Sequence, residues 1–166
     1  MQANENKNLV IEVDGVKYER YPIKTHVITS DDDIRDVAEK YAKADMQEGD
    51  ILFISEKAVA CTQRRAIPMD EIKPSALAKL LCKFVYKSPY GIGLSIPQTM
   101  EMALRECGTI KILFAAFCSA CGKLVGKRGI FYDIAGPKAR SIDGPCDCTI
   151  PPYNHYVVLG PENPDA

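Results

Sequence analysis

The longest apolar stretch of this chain runs from Ile110 to Ala120 and is interrupted by the charged Lys111 near its start. A helix needs about twenty apolar residues to cross a bilayer, so this run is far too short to span one. Its first part, Ile110–Phe117, reads as a strand buried on both faces. The N-terminus, Met1-Gln2-Ala3-Asn4-Glu5-Asn6-Lys7-Asn8, lacks the basic segment and apolar core of a secretory signal. The expectation is a cytoplasmic chain in a reducing compartment.

At 166 residues the chain suits one domain of ordinary size, 1–166. Hydrophobic residues at 46% and charged residues at 26% give a globular balance. A net charge of −1 supplies no global pull toward nucleic acid or an anionic membrane, so neither is expected as a partner.

Leu9–Val13 and Val16–Ile23 are strand-like and flank Asp14-Gly15, a dipeptide suited to a two-residue hairpin turn. A short extended run, His26–Thr29, follows. Ser30 is positioned to cap a helix whose first turn holds Asp31, Asp32 and Asp33, with Ile34, Val37, Ala38, Tyr41 and Ala42 at helical spacing. Ile51–Ser55 reads as a buried strand. Pro74-Ser75 opens a second helix bearing Leu77, Leu80, Leu81 and Phe84. Pro97 opens a third, with Met100, Ala103, Leu104 and Cys107, stopped by Gly108. Ile130–Ile134 and Tyr156–Leu159 complete the set as strands. This order is mixed α/β (α+β) and not a regular βαβ array. Asn163-Pro164-Asp165 carries a helix-start signature at the very end, which suggests the N-terminal part of a longer polypeptide.

Several segments could carry chemistry. Gly91-Ile92-Gly93 lacks the third glycine of the dinucleotide fingerprint, and no P-loop is present. Neither a Rossmann nor a P-loop fold is therefore expected. Lys123, Lys127, Arg128, Lys138 and Arg140 lie close in sequence to Asp133 and Asp143, a composition suited to metal and phosphate. Cys118 and Cys121, with Cys146 and Cys148, offer four thiolates for zinc, but Cys-x-Cys is a less usual zinc spacing and packing or incidental thiols are the favoured reading. His26 and His155 find no nucleophile elbow and read as structural.

Three segments together carry a resemblance. Tyr21-Pro22-Ile23-Lys24-Thr25 precedes the capped helix, and Glu48-Gly49-Asp50-Ile51-Leu52-Phe53-Ile54-Ser55-Glu56 follows it. Ser141-Ile142-Asp143-Gly144-Pro145 comes later, then Leu159-Gly160-Pro161-Glu162-Asn163-Pro164-Asp165. This order resembles the coenzyme F-420-0:gamma-glutamyl ligase family. The resemblance implies a ligase-like α/β domain that dimerises. It also implies a reaction joining L-glutamate to the coenzyme's phospholactyl tail, or to a related carboxylate acceptor, with GTP and magnesium or manganese. On this chain, Pro22, Ile23, Lys24 and Thr25 would line the guanine nucleotide pocket, with Ser55 and Glu56 facing the same nucleotide. Asp143 would hold metal, and Asn154 is a weaker match to a nearby asparagine. Where the family carries a phosphate-facing lysine this chain has Cys61, and Lys57 or Arg65 are the candidate substitutes. The family's second metal aspartate falls downstream of this chain. The alternative is a non-catalytic nucleotide- or partner-binding module of the same fold.

Overall fold

The computed structural model describes residues 7–85, 92–127 and 129–163. The segment through Asn6, most of the Ser88–Gly93 loop, Arg128 and the Pro164–Ala166 end lie outside the described residues. The structure is mixed α/β, with helices and two small antiparallel sheets. It divides into two compact units, the first ending at Phe53 and the second beginning at Ile54.

In the first unit, β1 (Val10–Val13) pairs with β2 (Val16–Glu19) through a turn at Asp14 and Gly15. Both turn residues adopt positive φ, 51° and 79°, as a primed hairpin turn requires. Helix α1 (Ile34–Ala42) starts later than Ser30, because Asp33 and not Ser30 caps it. The Asp33 carboxylate accepts the Arg35 backbone N–H at 2.8 Å. Asp32 is drawn the other way. Its carboxylate accepts the Thr29 N–H at 2.7 Å and the Thr29 hydroxyl at 3.1 Å, and pairs with His26 Nε2 at 2.9 Å. These bonds hold His26–Thr29 in a turn-like path that forms no strand.

Ile51–Ser55 is not a buried strand. It pairs with nothing in either sheet, and Phe53 is 87% exposed. The boundary between the two units falls inside this run.

The second unit carries the core. Helix α2 spans Glu56–Thr62, and β3 (Ala66–Pro68) pairs antiparallel with β4 (Tyr156–Val158). Helix α3 (Ala76–Leu81) is capped by the Ser75 hydroxyl, which accepts the Ala78 N–H. Its inward residue is Ala78, whereas Leu80 and Phe84 face solvent. Helix α4 (Pro97–Cys107) begins on proline at its first position and is buried from Thr99 through Leu104. Gly108, at φ 86°, then turns the chain by 115° into the next helix.

That next element, α5 (Thr109–Leu124), replaces the expected strand at Ile110–Phe117. An unbroken apolar run has no period with which to separate helix from strand. Ala115, Ala116, Ala120 and Leu113 favour the helix. Only one stripe is covered, through Ile112, Ala115 and Gly122, while Ile110, Phe114 and Phe117 are exposed. A Cβ on Gly122 would meet Ile130 Cδ1 at 2.2 Å, so glycine permits the close seating of α6. Helix α6 (Ile130–Ala135) likewise stands where a strand was expected. It is bracketed by Gly129 and Gly136, both at positive φ, which bound one short helix. Helix α7 (Pro137–Arg140) follows and packs on α4. No single helix among the described residues is long and apolar enough to cross a membrane.

Candidate functional site

Three segments far apart in sequence converge in the second unit: the start of α2, the stretch Ser141–Asp143, and β4 with its continuation to Gly160. Ile142 is buried and anchors the middle segment, leaving the Asp143 side chain in solvent. The Asp143 backbone forms a two-bond bridge to Val158, with N–H to oxygen distances of 2.9 Å in both directions. Asp143 is thereby held at the edge of the small sheet.

Lys57, on the first turn of α2, reaches into this bridge. Its ammonium donates to the Ser141 carbonyl and the Val158 carbonyl, the latter at 3.4 Å, and meets Asp143 Oδ2 at 3.1 Å. Glu56 Oε1 lies 3.8 Å from the same nitrogen. Two of the ammonium's three N–H donors are thus taken by carbonyls, and its charge is paired with Asp143. Gly160 closes over the cluster, since a Cβ there would stand 2.8 Å from Ser141 Cβ and 3.4 Å from Glu56 Oε1. The structure therefore brings together Glu56, Lys57 and Asp143, with exposed Ser55 at the N-cap of α2.

Arg65 is engaged elsewhere in the same unit. Its side chain is 14% exposed and donates to the Gly160 carbonyl and to Glu106, with Glu162 at 3.6 Å. Its backbone oxygen accepts the Leu159 N–H. Asn154 is half-buried in a 3-10 turn, Tyr153–His155, directly before β4. Cys61, on α2, is buried, and burial pushes its thiol up, partly offset by Tyr153 and Lys57. In the first unit Pro22, Ile23, Lys24 and Thr25 lie outside any helix or strand, and the Thr25 hydroxyl donates to the His26 carbonyl.

Among the described residues, none of the cations of the Lys123–Arg140 stretch forms an ion pair with Asp143. Arg140 pairs with Asp133 at 2.6 Å, and Lys123 donates to the Phe84 carbonyl. Cys146 and Cys148 are bonded to each other, while Cys118 and Cys121 are free on α5. Among the described residues, no three or more His, Cys, Asp or Glu side chains are grouped to hold a metal. Sequence reasoning missed the Lys57–Asp143 contact, because its carbonyl anchor at Ser141 is 84 residues away along the chain. A depression beside Gly108, lined by Cys107, Thr109, Ile110 and Phe114 among others, shares none of the cluster's residues.

The family model for F420-0:Gamma-glutamyl ligase matches residues 22–166, so the chain belongs to that family. It is also 29% identical over 150 residues to the Coenzyme F420:L-glutamate ligase of Methanopyrus kandleri. The match covers 90% of this chain and 50% of that relative, so the chain spans about half the relative's length. No solved structure matches.

Proposed function

We propose that this chain serves a gamma-glutamyl ligase that adds L-glutamate by an amide bond to coenzyme F-420-0 or a related carboxylate acceptor, with GTP. The observation that carries the reading is the family match over residues 22–166. The convergence of Glu56, Lys57 and Asp143 on one sheet edge supports it.

In the proposed reaction an acceptor carboxylate oxygen attacks the γ-phosphorus of GTP, and GDP leaves. The glutamate amine then attacks the acyl carbon of the resulting acyl phosphate. Inorganic phosphate departs, and the nitrogen gives up its proton as the amide forms. Ser55 and Glu56 meet the nucleotide at the start of α2. Pro22, Ile23, Lys24 and Thr25 are proposed as nucleotide contacts of the first unit. A divalent ion, magnesium or manganese, would shield phosphate charge. The residues present do not complete such a site by themselves. Asp143 is one exposed carboxylate already paired with an ammonium, so the ion must enter with phosphate oxygens as its other ligands.

Homodimerisation is part of the proposal, supported by the exposed apolar residues Ile110, Phe114 and Phe117 of α5. The second reading, a binding module without catalysis, draws on Cys61, which stands where the resemblance implies a phosphate-facing lysine.

The test is product formation. Protein supplied with F-420-0, glutamate, GTP and magnesium should yield the glutamylated coenzyme by mass spectrometry and release GDP. Asp143→Asn should abolish both. GDP release and product unchanged in Asp143→Asn would refute the assignment of that residue. Absence of product from the unaltered protein would favour the binding module.

A further inference from the structure

The cluster at the sheet edge already contains a cation. Lys57 places its ammonium 3.1 Å from Asp143 Oδ2 and 3.8 Å from Glu56 Oε1, between the two carboxylates that a divalent ion would approach. The ammonium is not a loose surface charge. The Lys57 side chain is 30% exposed, and the Ser141 and Val158 carbonyls pin its ammonium from the protein side. Those carbonyls are themselves fixed, because Val158 is bridged to Asp143 and Gly160 packs against Ser141. Two of its three donors go to the carbonyls and its charge is paired with Asp143, so a phosphate competes with Asp143 for the ammonium. A metal ion arriving alone would have to sit against a like charge held in place.

We propose that Lys57 is a positioning residue that occupies the cation place beside Asp143, so that a divalent ion without nucleotide does not load there. Only a ligand that brings its own negative charge, such as a metal-bound triphosphate, offers Lys57 an alternative partner and frees Asp143. The inference rests on the ligase reading only in treating Asp143 as the carboxylate that meets the metal. Its test contains no nucleotide and no turnover, so the two fail separately.

The experiment follows free manganese(II) by electron paramagnetic resonance during titration of the unaltered protein, Lys57→Gln, Asp143→Asn and the double variant. Glutamine keeps an N–H donor for the two carbonyls while removing the charge. The unaltered protein and Asp143→Asn should bind manganese equally weakly. Lys57→Gln should bind about tenfold more tightly, the scale on which one neighbouring charge shifts an ionic equilibrium, and the double variant should lose that gain. No gain in a folded Lys57→Gln protein would overturn the proposal. Should circular dichroism show Lys57→Gln unfolded, the first pair decides. Equal weak binding supports the proposal, and manganese binding that Asp143→Asn abolishes overturns it.

Discussion

Gly160 is the residue at which shape and site meet most tightly. A methyl group there would stand 2.8 Å from Ser141 Cβ, closer than side chains approach one another. Gly160→Ala should therefore push Ser141 aside and destabilise the protein by roughly 1–3 kcal/mol, the usual cost of overpacking. Thermal melting measures that loss, and an unchanged melting temperature would mean the segments sit further apart than described. Glu101 on α4 supplies a second residue-level test. The residue is only 9% exposed. Burial pushes its carboxyl up, but the Ser75 backbone N–H at 2.9 Å, the Ser75 hydroxyl and Arg105 at 3.0 Å outweigh this, and the net shift is downward. A depressed carboxyl favours the folded state above the ordinary glutamate value of about 4.3, and that contribution is lost as pH falls through the lower folded value. Glu101→Gln should lower stability at neutral pH and flatten its loss between about pH 5 and pH 3, read from denaturant midpoints across that range. An acid limb as steep as in the unaltered protein would contradict the assignment.

Among the elements, α5 separates two foldings of one stretch. On a strand, Ile112 and Phe114 would share a face. On the helix, Ile112 is fully buried and Phe114 is 58% exposed. Measured at concentrations that keep the chain monomeric, Ile112→Ala should cost about 2–5 kcal/mol, whereas Phe114→Ser should change stability by less than about 0.5 kcal/mol. Comparable losses in both would restore the strand. The contrast also shows what a reader of the sequence could and could not see. Asp14-Gly15, the Ser75 cap, and Pro97 with Gly108 were legible, because each acts through a few neighbouring atoms. Ile110–Phe117 and Ile130–Ile134 were misread because an apolar run without period fits either state. Ile51–Ser55 was misread because a strand needs a partner, and that partner is chosen by the tertiary fold. Of the candidate site, Ser55, Glu56, Lys57 and Asp143 were each named from sequence. The ion pair that joins Lys57 to Asp143 was not, since nothing local links α2 to the edge of β4. Arg65 carried no sign of its burial against Glu106.

On the scale of the whole molecule, the chain belongs to the ligase family, and the proposed function makes the edge that holds Glu56 and Asp143 its nucleotide-facing surface. That claim meets its most direct test in calorimetric titration of the chain with GTP in the presence of magnesium, with ATP as control. The account predicts binding that requires the metal, prefers GTP, and weakens by about tenfold or more when Glu56 and Asp143 are both neutralised as Glu56→Gln and Asp143→Asn. Equal binding of ATP and GTP, or GTP binding indifferent to those two substitutions, would contradict it.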